Sequence, residues 1–212
     1  MIASPSTPKP EPIDTGTTTV GIIVQDAVVI GTESKATAGY YVASKTAQKL
    51  FKINNHTAAT ISGGVADCQY VVRWAQANTR LEMIRKRGEE PATKWIAEII
   101  KNLLFNGRSF FMSMMIVGGW DVKVKIPKLY GIDLLGALYE EKEFIGFGSG
   151  SPFALGVIQS EWQPGMTKED GVALVAKAIS AARERDAASG FDLQICTIDQ
   201  DGFVQVQGRS ND

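Results

Sequence analysis

The chain of 212 residues has one histidine, His56, and two cysteines, Cys68 and Cys196. A Ser-His-Asp or Cys-His arrangement would have to use His56 alone. His56 follows Asn54-Asn55, a turn-like context in which a histidine is ordinarily exposed or capping. No Cys/His cluster exists to hold zinc, so neither a metal nor a cofactor is expected. Both cysteines fall in apolar periodic segments, the setting of small core residues rather than of a disulfide. A basic excess is also missing: Lys and Arg total 22 against 23 Asp and Glu, for a net charge of −1. That excludes the electrostatic footprint of a nucleic-acid or anionic-membrane partner. No apolar run approaches the ~20 residues of a membrane-spanning helix. Residues 1–16 lack the apolar stretch of a secretory signal, and a cytoplasmic protein is expected.

The apolar fraction is 44% and the charged fraction 21%, ordinary values for a globular chain. A single domain of this length buries roughly 70% of its unfolded surface without needing staples. Residues 1–16 carry Pro5, Pro8, Pro10 and Pro12 among Ser, Thr, Lys and Glu. They cannot bury enough apolar surface to offset chain ordering, and they read as a disordered leader. Beyond Gly16 the apolar pattern predicts a hairpin over 18–24 and 27–31, then short strands at 40–43, 49–53 and 58–62. A helix is predicted over 65–87, with Val71, Trp74, Leu81 and Ile84 on its inner face. A second covers 93–104, with Ile96, Ile99, Ile100 and Leu103 inward. The run 110–117 reads as a buried strand, and Val122, Val124 and Ile126 alternating with Lys123 and Lys125 as a half-exposed one. Ser151-Pro152 marks a helix start with Ser as N-cap, and Thr167 to Asp170 a near capping box. The latter opens a helix that turns Val172, Val175, Ile179 and Ala182 inward. A closing hairpin spans 193–198 and 203–206 around Asp201-Gly202. Blocks of strands separated by helix pairs predict packed sheets with helices outside, not a doubly wound parallel sheet.

With so little histidine, catalysis needs another base. Gly16-Thr17-Thr18-Thr19-Val20-Gly21 stands behind the leader and ahead of the first strand. Cleavage between Gly16 and Thr17 would give Thr17 a free α-amine beside its own hydroxyl, a base and a nucleophile in one residue. Threonine is also simply a good strand residue, and the run alone favours that plainer reading. A free α-amine has a reference pKa of about 7.7–8.0 against about 10.4 for lysine, so it is the better base near neutral pH.

The chain resembles the proteasome β-subunit family, most closely its archaeal members. The resemblance runs from Gly16 onward and rests on Gly16 to Gly21, Thr32-Glu33, Lys49-Leu50-Phe51, Gly148-Ser149-Gly150-Ser151-Pro152 and Arg185-Asp186-Ala187-Ala188-Ser189-Gly190 in that order. It implies an α+β, four-layer αββα sandwich of two antiparallel sheets flanked by helices, the N-terminal nucleophile hydrolase fold. It implies residues 1–16 as a propeptide removed autocatalytically and 17–212 as the catalytic domain. Thr17 would be the nucleophile, Lys49 its electrostatic partner and Glu33 the acid paired with Lys49, where the family commonly has Asp. Ser149, Asp186 and Ser189 would form a hydrogen-bonding shell. The Gly63 N–H would serve as oxyanion donor, and Thr37 with Gly63 would hold an extended substrate. Ala36, Ala47, Ile61, Val65 and Gln69 would line the specificity pocket. None is charged, so cleavage after large apolar residues is expected.

The implied protein is a cytoplasmic threonine protease whose β-subunits form a heptameric ring. Two such rings would stack between rings of α-subunits and receive unfolded chains from an ATPase unfoldase. A dodecameric bacterial relative shares the threonine start, but the long helices, Ser151-Pro152 and the segment 185–190 fit the archaeal type better. A catalytically silent ring subunit would typically lack the threonine or the lysine, and both are present here. Lys49, read at the start of a strand, is expected to matter for activity and little for stability.

Overall fold

The structure is a computed structural model, and it describes residues 16–208. The leader reading therefore lies outside the described residues except at Gly16. The first sheet combines β1 (Thr19–Ile23), β2 (Val28–Glu33), β10 (Phe144–Phe147), β11 (Leu193–Asp199) and β12 (Gly202–Gln207) in the order β10-β1-β2-β11-β12. The second runs β5 (Leu50–Asn54), β6 (Thr57–Gly63), β7 (Ser113–Asp121), β8 (Ile126–Ile132) and β9 (Leu138–Glu141) in sequence order. A separate ribbon pairs β3 (Ala36–Ala38) with β4 (Tyr41–Ser44). All pairings described within these sheets are antiparallel.

Three apolar clusters hold four layers together. One joins the second sheet to α1 (Val65–Arg85) and α2 (Thr93–Asn106) through Val71, Ile96, Ile100, Met115 and Tyr130. Another joins the first sheet to α3 (Ser151–Glu161) and α4 (Lys168–Arg185) through Ile22, Val29, Ile158, Val175 and Ile179. The third lies between the sheets, where Val28, Ile30, Leu50, Ile116 and Leu129 interdigitate. A central strand is thus covered on both faces, which is why β2 is buried at every position and opens with the apolar run Val28-Val29-Ile30. This is the predicted αββα sandwich.

Several local expectations change. On α1 the buried residues are Cys68, Val71, Val72, Ala75 and Thr79, and beyond Thr79 nothing on the helix is buried. Leu81 and Ile84 are exposed at 53% and 75%, because the last turns of this 21-residue helix run past the sheet that covers its beginning. The run from Phe110 joins the sheet only at Ser113, and Phe110 is exposed. Residues 122–125 form the turn between β7 and β8 rather than a strand: Asp121 Oδ1 accepts from the Lys123 and Val124 N–H groups and curls the chain. The alternation read there was a coincidence of spacing. Gly150, not Ser151, is the N-cap of α3, and Ser151 Oγ donates to the Gly148 carbonyl at 2.7 Å. Thr167 caps α4 as predicted, accepting from the Asp170 N–H at 3.1 Å. His56 is more than a turn residue, since its ring pairs with Glu90 Oε2 at 2.8 Å. The short strands β3, β9 and β10 were not read from the sequence.

Candidate active site

Thr17 stands two residues before the start of β1 and is 3% exposed. Its hydroxyl donates to the Gly16 carbonyl oxygen at 2.7 Å and accepts from Lys49 Nζ at 3.0 Å. Lys49 enters β5 of the opposite sheet, and its ammonium pairs with Glu33 Oε1 at 2.5 Å, with side chains 4% and 0% exposed. The carboxylate at the end of β2 is held on both oxygens. Oε1 also accepts from the Thr18 N–H at 3.4 Å, while Oε2 accepts from the N–H groups of Lys35 at 2.6 Å and Gly190 at 3.0 Å. The added methylene of Glu33, relative to an aspartate, is absorbed by this bracing. Burial holds the Lys49 ammonium below the usual lysine range, outweighing the raising effect of Glu33's charge and hydrogen bond.

The other side of Thr17 faces a directed hydrogen-bond chain. The Thr17 N–H donates to Ser149 Oγ at 3.3 Å, and Ser149 Oγ donates to Asp186 Oδ2 at 2.7 Å. Ser189 Oγ donates to the same oxygen at 2.6 Å. Because a carboxylate only accepts, both serine protons are committed to it, and Thr18 Oγ1 must be the donor in its 2.6 Å contact with Ser189 Oγ. Asp186 occupies the C-cap of α4, so the helix end delivers the acid, and Gly150 N–H at the start of α3 donates to the Thr17 carbonyl at 3.3 Å. Gly16 packs against the segment after Asp186. A Cβ on it would lie 1.7 Å from Ala188 Cβ and 2.9 Å from Ser149 Oγ. Lack of space, rather than a positive φ, therefore requires glycine there.

A narrow cleft beside Thr17 is lined by Gly16, Lys35, Ala36, Thr37, Lys49, Ile61, Ser62, Gly63 and Val65. Among the described residues, Thr37 Oγ1 and Ser62 Oγ are buried there without a hydrogen-bond partner. Gly63 ends β6 at φ +120°, a conformation open to glycine, and its Cβ would meet the Met112 carbonyl at 2.2 Å. Ala36, Ile61 and Val65 line this cleft, but Ala47 and Gln69 do not. Gln69 faces a separate cleft of about 300 Å3 with Phe51, Val72, Arg73 and Gln76. Ala47 is bound through its backbone, donating to the Ser34 carbonyl at 2.9 Å. Besides Lys49, the cleft wall carries the charged Lys35, whose ammonium donates to the Ala187 carbonyl at 2.5 Å and lies 6.0 Å from the Phe191 ring centroid.

This geometry coincides with a family match. A family model described as "Proteasome subunit" covers residues 13–198. Curated relatives described as "Proteasome subunit beta" are 40% identical in Archaeoglobus profundus over 90% of this chain and 88% of that protein. In Picrophilus torridus the identity is 41% over 92% of both chains. The chain belongs to the proteasome β-subunit family. Proteasome β-subunits are in general proteases, and membership implies assembly with other proteasome subunits. Among the described residues no helix is long and apolar enough to cross a membrane. Two polar residues at this proteasome site escaped the sequence reading. Thr18 was legible only as part of a threonine run, and Gln194 only as an isolated polar residue in an apolar strand.

Proposed function

We propose that this chain is a threonine endopeptidase of a proteasome core, with Thr17 as nucleophile, activated by autocatalytic cleavage between Gly16 and Thr17. What carries the reading is the Thr17 hydroxyl, 2.7 Å from the oxygen of the bond to be cut and 3.0 Å from a buried ammonium. In the precursor the hydroxyl oxygen attacks the Gly16 carbonyl carbon, the C–N bond to Thr17 breaks, and the acyl group passes to Oγ1 as an ester. Water then hydrolyses the ester, leaving a carboxylate on Gly16 and a free amine on Thr17. Before cleavage that nitrogen is an amide and offers no base; the Lys49 ammonium, 3.0 Å from Oγ1, stabilises the oxygen as its proton leaves, and a proton is delivered to the departing nitrogen as the C–N bond breaks. After cleavage the amine acts as base, and the charge of Lys49 disfavours its protonation.

In this reading Glu33 fixes Lys49, while Ser149, Asp186 and Ser189 orient the Thr17 nitrogen. Gly63 offers its N–H to the oxyanion, and Thr37 on the open edge of the β3–β4 ribbon pairs with an extended substrate. Ala36, Ile61 and Val65 favour large apolar side chains before the cut. The chain would work in the cytoplasm within a heptameric β ring, paired with a second ring between α-subunit rings and fed unfolded polypeptide by an ATPase. Intact mass of the full chain after co-assembly with proteasome α-subunits tests the chemistry. Residues 1–16 should be lost from the wild type and retained in Thr17→Ala, which should hydrolyse no peptide. A Thr17→Ala chain that still begins at residue 17 would overturn the proposal.

A further inference from the structure

Lys49 sits at the entry to β5, an edge strand bordered in its sheet only by β6. On the β6 side its carbonyl accepts from the Ile61 N–H at 3.1 Å. On the open side the backbone meets the side chain of Gln194, which projects from β11 of the other sheet and is 7% exposed. Gln194 Oε1 accepts from both the Lys49 N–H at 2.9 Å and the Leu50 N–H at 3.1 Å. Its Nε2 donates to the Ala47 carbonyl at 2.7 Å. The partners dictate the orientation of the amide, because only the oxygen can accept from two N–H groups and only the nitrogen can donate to a carbonyl. One side chain thus replaces the missing neighbour strand across residues 47–50. It ties the segment that carries Lys49 to the sheet that carries Glu33 and β1. No other residue type of this length supplies two acceptor bonds and a donor bond in that arrangement at neutral pH.

We infer that Gln194 is a positioning residue for the nucleophile: a clamp between the sheets that sets the backbone height of Lys49 and so the reach of its ammonium to Thr17. This rests on the reading of Thr17 as nucleophile. Displacement by about 1 Å at a group of this kind costs up to about 10²-fold in rate.

The test uses the full chain co-assembled with proteasome α-subunits. Gln194→Met keeps length and bulk and removes all three bonds. Gln194→Glu keeps the acceptors for Lys49 and Leu50 and loses the donor to Ala47. Gln194→Met should lower kcat by about 10²-fold with little change in KM. The acidic limb of its pH–rate profile should move to higher pH, because a displaced ammonium no longer disfavours protonation of the Thr17 amine. Gln194→Glu should fall between Gln194→Met and the wild type, and it carries the same measurements if Gln194→Met fails to assemble. A residue that merely supported the fold would lower thermal stability and leave kcat per active site and the pH limb unchanged, and that result overturns the inference. If the wild type neither sheds residues 1–16 nor cleaves peptide, the protease reading falls instead. Crystal structures of the wild type and Gln194→Met then decide the clamp: a Lys49 Nζ to Thr17 Oγ1 separation opened beyond 3.0 Å supports it, and an unchanged contact overturns it.

Discussion

Replacing Lys49 with methionine should damage the fold as well as the chemistry, contrary to what a lysine at a strand entrance suggests. The ammonium and its partner carboxylate are 4% and 0% exposed. Removing one member of a buried pair leaves the other charge uncompensated, a loss of about 3–5 kcal/mol. Glu33 would keep the N–H groups of Lys35 at 2.6 Å, Gly190 at 3.0 Å and Thr18 at 3.4 Å. The expected cost therefore lies at the low end, about 3 kcal/mol. For a chain of this length that corresponds to a melting point lowered by roughly 6–12 °C. Adding Glu33→Gln removes the stranded charge. The glutamine oxygen can still accept from Lys35 and Gly190, so the double variant should recover most of the lost stability. Activity should behave differently. A pre-organised donor beside a developing oxyanion is worth about 10²–10³ in kcat, and neither variant restores it. Urea or thermal unfolding of the full-length single and double variants, run beside a fluorogenic peptidase assay, separates the two effects. A Lys49→Met chain that melts with the wild type, or a double variant that regains turnover, would refute the reasoning.

Gly16→Ala should leave residues 1–16 attached, since its methyl group would lie 1.7 Å from Ala188 Cβ and push the scissile carbonyl away from Thr17; intact mass reads this directly. Asp199 supplies a pH-dependent contribution to stability. Burial pushes its carboxyl up, but the 2.7 Å bond from Lys168, the Asp201 N–H and the Lys168 charge outweigh this and hold it below the ordinary range. A depressed acid stabilises above its unfolded value of about 3.9 and loses that contribution as pH falls through the folded value. Asp199→Asn should therefore cost under about 1 kcal/mol at pH 7, Lys168 being partly exposed, and the difference from wild type should shrink progressively in urea titrations as the pH falls below the unfolded value of about 3.9. Short fluorogenic peptides should give a higher kcat/KM after Leu, Phe or Tyr than after Arg or Glu. A preference for Glu would mean that Lys35, on the cleft wall, turns its ammonium from the Ala187 carbonyl toward the substrate.

Local pattern carried the architecture. The hairpin of β1 and β2, the helices α2 and α4 and the closing hairpin follow from apolar periodicity and turn residues, because each is specified by neighbours within a few positions. Where the reading failed, a longer-range condition had won. Leu81 and Ile84 have helical spacing but no layer above them, and Val122 and Val124 have strand spacing but lie in a turn set by Asp121. The weak strands β9, partly exposed, and β10, half-buried, exist because a partner strand is present, which no single segment announces.

The sequence by itself determined which residues could be chemical: a threonine run behind a proline-rich leader, almost no histidine, and ordered motifs around Lys49, Ser149 and Asp186. Tertiary structure alone decided which of them meet. It buried Glu33 and Lys49 together, brought Ser149 to the Thr17 nitrogen across 132 residues, and joined Thr18 to Ser189 across 171. It also gave Gln194 partners that its own strand does not hint at. Periodicity is a property of one segment and records which face is covered. Hydrogen bonds and buried charge pairs across the sandwich depend on where the other sheet lies, and that is fixed only when the layers close over one another.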